Sequence, residues 1–135
     1  ESECRNLARI MPVGIKLQPS IAPQLVVAAD ESRLQQILAN LVSNSRDAID
    51  GRGFIAVRIY ENSDESGSDQ VVLEVRDTGS GMSPETLEHF MEPFYTTKSG
   101  DSGNGLGMAT VHGLVAALGG RIEVDSSVGI GTTIR

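Results

Sequence analysis

Apolar positions along this chain switch between two periods. From Ser32 to Ile49 they fall at Leu34, Ile37, Leu38, Leu41, Val42, Ala48 and Ile49, the i, i+3, i+4, i+7 spacing of an amphipathic helix. Asp30 or Ser32 is expected to cap it, and Asp50-Gly51-Arg52-Gly53 to end it. Gly105 to Leu118 predicts a second long helix, stopped by Gly119-Gly120. Phe54 to Tyr60 instead alternates, with Ile55, Val57 and Ile59 on one side. Val71 to Val75 returns after a loop rich in Asp, Ser and Gly, so the two runs read as a hairpin. Shorter strands are expected at about 13–18, at Leu25 to Ala28, at Arg121 to Asp125 and at Thr132 to Arg135. Pro19 and Pro23 place the first of these on a sheet edge. Residues 1–11 read as a short helix or helical linker ending at Pro12, and Ser83-Pro84 opens another short helix with Ser as N-cap. Residues 91–104 read as loop.

Strands and helices in this order do not alternate strictly, which argues against a doubly wound parallel sheet. The expected fold is an α/β (α+β) two-layer sandwich: a mixed sheet of about five strands with about three helices on one face.

The polar side of the first long helix changes the picture. It carries Gln36, Asn40, Ser43, Asn44 and Asp47. Asn, Ser and Asp cost roughly 0.5–0.7 kcal/mol each against Ala inside a helix, and a plain solvent face favours Lys, Glu and Arg. A face that accepts several of them reads as one in use, against the plainer alternative of solvated surface. Asn40 and Asn44 lie one turn apart, and a neutral amide oxygen is a reasonable Mg²⁺ ligand when phosphates and water supply the rest.

Two glycine motifs add chemistry. Asp77-Thr78-Gly79-Ser80-Gly81 follows a strand directly. It reads either as a common Asp-Gly turn or as a carboxylate placed to accept from an exocyclic amine, with glycines letting the backbone approach a flat ring. Gly103-Asn104-Gly105-Leu106-Gly107 opens the second long helix, either as a flexible linker or as a set of backbone N–H groups for phosphate oxygens. It is not a dinucleotide fingerprint, because it follows no strand and its glycines are spaced by two. No Gly-Lys-Ser/Thr, Asp-Phe-Gly or His-Arg-Asp occurs.

Composition narrows the class further. A chain of 135 residues fits one domain. A net charge of −7 argues against nonspecific binding to nucleic acid or to an anionic membrane. The one cysteine, Cys4, excludes an internal disulfide and fits a reducing compartment. No apolar run reaches the roughly 20 residues of a membrane span. Starting at Glu1 and stopping inside a strand-like pattern, the chain is expected to be an excised piece of something longer.

Taken together, the motifs resemble the ATP-binding domain of sensor histidine kinases, in the GHKL superfamily with gyrase, the Hsp90 chaperones and MutL. Gln36, Asn40, Asn44, Asp47 and Ala48 match the N box. Asp77 to Met82 match the G1 box, Glu92 to Lys98 the F box, and Gly103 to Ala109 the G2 box. Gly129-Ile130-Gly131-Thr132-Thr133 matches the terminal glycine–threonine motif. The wording around Asn44 and Tyr95 is nearest to kinases of the nitrogen-regulation or hybrid type. The resemblance covers about residues 12–135 and implies the Bergerat fold, with residues 1–11 linking to a dimerisation and phospho-acceptor domain.

The resemblance also implies roles. Asp77 would bind the adenine amine with Thr132 helping through water, Gly79 and Gly81 would shape the loop, and Met82 and Leu106 would pack on the base. Asn44 would hold Mg²⁺, while Asn40 would assist at the phosphates. Residues 91–104 would be the ATP lid. Thr97 and Lys98 belong to the same nucleotide site, as do Gly103, Gly105, Gly107 and Met108. Asp47 would belong to it in one subfamily, and Asn40 and Lys98 would take the catalytic roles. Met91 stands where the F box has Phe, and Asn104 where Thr is common. Position 40 separates the rivals: ATP-hydrolysing relatives and anti-sigma-type serine kinases carry Glu there as general base, and Asn40 cannot accept a proton. A degenerate, nucleotide-sensing module is the remaining alternative. Neither His89 nor His112 has the setting of the family's phospho-acceptor histidine. The implied partners are therefore a histidine-phosphotransfer and dimerisation domain of the parent chain and a response-regulator receiver domain. No nucleic acid and no direct membrane contact are implied. The parent would be a homodimer, the piece itself a monomer, and the location cytoplasmic even for a membrane-anchored parent.

Overall fold

The computed structural model describes residues 2–9, 11–21, 31–63, 65–67, 69–90 and 107–135. The elements are α1 (Ser2–Arg9), β1 (Ile15–Ile21), α2 (Glu31–Ala48), β2 (Gly53–Ser63), β3 (Asp69–Asp77), α3 (Pro84–His89), α4 (Gly107–Ala117), β4 (Val124–Ser127) and β5 (Gly131–Ile134). The strands form one sheet in the order β1-β2-β3-β5-β4. β1 runs parallel to β2, and the other neighbours are antiparallel. A parallel pair needs a crossover, and α2 lies in that connection. The sheet is thus mixed, with β1 at an edge as the sequence predicts, although the strand runs on through Pro19 to Ile21, past its expected end near residue 18.

Alternation along the strands decides which side chains face the helices. Ile55 and Val57 of β2 and Val75 of β3 are almost fully buried, and Ile15 and Ile134 join them. Ile37, Leu38, Leu41 and Val42 of α2 and Val111 of α4 complete the core. Each such side chain contributes about 1.5–3 kcal/mol by leaving water, so this interface determines where α2 and α4 sit. Leu7 of α1 is buried in the same cluster, with Met11 packed against it.

Polar residues continue across the sheet at Arg58, Glu74, Asp125 and Arg135. Glu74 lies between Arg58 Nη1 at 3.2 Å and Arg135 Nε at 3.0 Å, and Arg135 Nη1 reaches Asp125 Oδ2 at 2.7 Å. The hydrogen bonds that Arg135 donates to Asp125 and then to Glu74 raise the pKa of its guanidinium. Two cationic partners compensate the burial of the Glu74 carboxylate.

The elements differ from the expected ones mostly at their ends. The hairpin is longer, pairing Ser63 with Asp69, because backbone ladder bonds extend a register past the last apolar residue. β4 begins at Val124 rather than Arg121 and runs to Ser127. Glu123 and Arg135 still exchange both backbone bonds at 2.8 Å. α2 begins at Glu31, which puts Ser32 inside the helix rather than at its cap. The expected Asp30 cap and the strand at 25–28 lie outside the described residues. α3 has the expected start, with Ser83 Oγ accepting from Thr86 N at 3.2 Å. α4 stops as predicted: Gly119 and Gly120 donate back to the carbonyls of Ala116 and Val115, each at 3.0 Å. Among the described residues, no helix is long and apolar enough to cross a membrane.

Candidate nucleotide-binding site

The site is built along the polar side of α2, at its middle and at its C-terminal end. Toward the middle of the helix, Asn40 and Asn44 are half-buried one turn apart. Gly107, the first residue of α4, lies against them. A Cβ built there would stand 3.7 Å from Asn40 Oδ1 and 3.9 Å from Asn44 Oδ1. Two amide oxygens thus meet the start of a helix, where first-turn N–H groups lack intrahelical partners and the dipole is positive. This is a place for phosphate oxygens and, at the amides, for a hard cation. Asp47 lies a turn further along α2, exposed, with Arg46 Nε 3.6 Å from its Oδ1.

At the C-terminal end of α2 the Asp77 loop docks directly on the helix. Ser80 N donates to the carbonyl of Ala48 at 2.8 Å, capping one of the last free carbonyls of the helix. Gly79 is required for that approach, since a Cβ there would lie 2.6 Å from the same oxygen. Asp77, at the end of β3, is 5% exposed. Its Oδ1 accepts from Gly79 N at 2.9 Å and from Thr132 N at 3.3 Å. Its Oδ2 takes no hydrogen bond among the described residues, so the carboxylate keeps one oxygen for a ligand donor.

β5 and β4 close this end. Thr132 pairs with Asp77 in the ladder and is also buried. Gly131 precedes it at φ +142°, a backbone state that L side chains rarely adopt, and a Cβ there would run into the Asp77 carbonyl oxygen. Gly81 lies against the Ser127 carbonyl, and Gly129 N donates to Ser80 O at 2.8 Å. The hydroxyl of Ser126 ties these pieces together: it lies 2.8 Å from Met82 N, 3.2 Å from Gly131 O and 2.8 Å from Thr132 Oγ1.

Of the residues expected at the site, Asn40, Asn44, Gly107, Asp77, Gly79, Gly81, Met82 and Thr132 fall into these two connected groups. Met108 does not present its side chain there. It is 5% exposed and belongs to the core with Val111, so its backbone N–H in the first turn of α4 is what it can offer. Thr97, Lys98, Gly103, Gly105 and Leu106 lie outside the described residues, as does the expected lid at 91–104. Sequence reading missed Ser126. Nothing local distinguishes it from Ser127, and its partner Met82 lies 44 residues away.

The chain belongs to the histidine kinase-, DNA gyrase B- and HSP90-like ATPase family, whose pattern matches residues 29–135. Sensor kinases are among the relatives it matches. It is 38% identical over 140 residues to the sensor kinase CckA of Brucella abortus, covering 96% of this chain and 15% of CckA. The chain therefore spans a small part of the curated relatives it matches. The structure is similar to that of the mycobacterial sensor histidine kinase MprB, with a TM-score of 0.79 and 25% identity over 98% of this chain and 86% of that one. It is similar also to full-length ShkA, solved in complex with AMPPNP, with a TM-score of 0.78 and 30% identity over 98% of this chain and 28% of that one. The five-stranded mixed sheet with its helices is the fold of the catalytic domain of sensor histidine kinases, and this chain is homologous to that ATP-binding part.

Proposed function

We propose that this domain binds Mg·ATP and passes the γ-phosphate to a histidine on a separate dimerisation domain of the same parent. From there it would move to an aspartate on a response-regulator receiver domain. The observation that carries the reading is the meeting of three motifs on α2: Asn40 and Asn44 beside Gly107, and the Asp77 loop on Ala48. The ATP analogue in the ShkA complex supports the choice of nucleotide.

In this reading Asp77 Oδ2 accepts from the adenine amine, and Thr132 reaches the base through water. Met82 packs on the ring. The start of α4 and Asn40 receive phosphate oxygens, with Thr97, Lys98, Gly103, Gly105 and Leu106 completing the site. Asn44 holds Mg²⁺. Oxygens of the nucleotide and water would complete the ion's shell, as is usual for Mg²⁺ at nucleotide sites. The bound ion would neutralise charge on the phosphates. Asn40, unable to take a proton, leaves water poorly activated, so transfer waits for a better nucleophile. Residues 1–11 form the joint to the acceptor domain, and the buried Leu7 makes that joint follow the domain.

The test has two stages. A fluorescent ATP analogue titrated in Mg²⁺ should bind, and no binding sinks the reading. The chain mixed with a dimerisation domain bearing the acceptor should then yield phosphohistidine. Rapid ATP turnover by the chain alone would favour an ATPase instead.

A further inference from the structure

Alternation gives the sheet a second face. Ile55, Val57, Val75 and Ile134 turn toward α2 and α4, so their neighbours Phe54, Ala56, Arg58, Arg76, Thr133 and Arg135 point the other way. Among the described residues this face is open: Phe54 is 46% exposed, and the three arginines are exposed as well. Register makes them neighbours. Arg58 stands opposite Glu74, and Arg135 Nε lies 3.0 Å from the same carboxylate. Arg76 follows two residues later in β3, between Ala56 and Thr133. Glu74 is buried beneath Arg58 and Arg135, which neutralises it within the face, and Asp125 pairs with Arg135 at the margin. Arg76 makes no hydrogen bond or ion pair among the described residues, and the small side chains on either side leave it uncovered. Arg58 also lies over the Tyr60 ring, 4.7 Å from its centroid.

A chain of net charge −7 thus gathers an unpaired guanidinium, two partly paired ones and two aromatic rings on one flat, open surface. Arginine and aromatic side chains carry much of the energy at protein interfaces, and the cations call for a partner surface that bears carboxylates. Position chooses between the two domains that the proposed function requires. The proposed phosphate end, at Asn40, Asn44 and Gly107, lies in the helix layer, so the dimerisation domain must approach that side to present its histidine. The open face stays clear of the encounter. We infer that it docks the response-regulator receiver domain, with Arg58, Arg76 and Phe54 set against an acidic patch of that partner. Docking keeps the receiver near the phosphohistidine at a raised local concentration. This rests on the histidine-kinase reading and adds to it the place where the last partner binds.

The probe is the receiver domain to which the phosphorylated parent passes phosphate fastest. Calorimetry reads its binding to this chain without nucleotide. It should bind, and more weakly as salt rises. Arg76→Glu should weaken binding about tenfold or more, and Phe54→Ala about fivefold. Should Arg76→Glu not fold, Arg76→Ala should still cost about fivefold. Arg33→Glu makes the same change in charge on the exposed surface of α2 and should leave the affinity as it was. All of these variants should keep the unaltered chain's affinity for Mg·ATP. A receiver that takes phosphate but does not bind this chain overturns the docking. So does binding that Arg76→Glu leaves intact, or that Arg33→Glu weakens equally. Failure of the underlying reading looks different: the parent then passes phosphate to no receiver.

Discussion

The proposed base end and the proposed phosphate end of the site both rest on α2, but different forces hold them. At the base end, backbone and hydroxyl groups from β3, β4, β5 and the Asp77 loop are locked by short hydrogen bonds, and glycines allow the close approaches. At the phosphate end, Asn40 and Asn44 meet Gly107 because Ile37, Leu38, Leu41 and Val42 on one side of α2 and Val111 on α4 pack into the core. One end is positioned by polar geometry, the other by burial. A base of fixed shape needs the first kind of support. Phosphates and a hydrated cation tolerate the second, since N–H groups and amide oxygens recognise charge over a broader range of angles.

The contrast can be broken most severely at Gly131. Gly131→Ala forces a Cβ into the Asp77 carbonyl at a backbone angle unsuited to it, and should cost roughly 3 kcal/mol. Urea unfolding reads the loss. Gly129→Ala is the control, since φ there is +78° and no atom lies within 4 Å of the added carbon. It should cost about 1 kcal/mol, and equal midpoints for the two variants would refute the close-approach argument.

Asp77→Asn comes next. The amide oxygen can still accept from Gly79 N and Thr132 N, so the fold should survive. The charge is lost, and ATP should bind about 10- to 100-fold more weakly, as for a hydrogen bond to a charged group. Calorimetry with matched thermal unfolding separates the two effects. Asn44→Ala sharpens the comparison from the other end. It should weaken ATP about tenfold in Mg²⁺, or roughly 1.4 kcal/mol, and change little in chelator; equal losses in both conditions would remove the metal role. The smallest effect is expected outside both ends. The Asp125 side chain is 75% exposed in its pair with Arg135, and Asp125→Asn should cost less than about 0.5 kcal/mol with nucleotide affinity unchanged. A shift in affinity would mean that the ion-pair ladder is coupled to the site.

Much of the site was readable along the chain because its motifs are local. Asn40 and Asn44 share a face through helical spacing alone, and Asp77 with Gly79 and Gly81 announces a turn after a strand. The longer hairpin and the later start of β4 were not readable, because their ends are polar and are set by pairing register. Met108 carried the right position for a nucleotide contact, yet its helical phase turns its side chain to the core beside Val111. Ser126 carried no signal at all.

By itself the sequence determined which segments are helix and which are strand, where the backbone must turn, and that an amide-rich helix face accompanies two glycine loops. These depend on periodicity, propensity and the freedom of glycine, all of which act over a few residues. The tertiary structure alone decided that β1 pairs parallel with β2, that the Asp77 loop caps α2, and that Asp77 shares a bond with Thr132, 55 residues away. It also brought the Ser126 hydroxyl within hydrogen-bond distance of Met82 N, Gly131 O and Thr132 Oγ1, from separate parts of the chain. Such contacts come from burial and register across the whole sheet, which no local window of sequence contains.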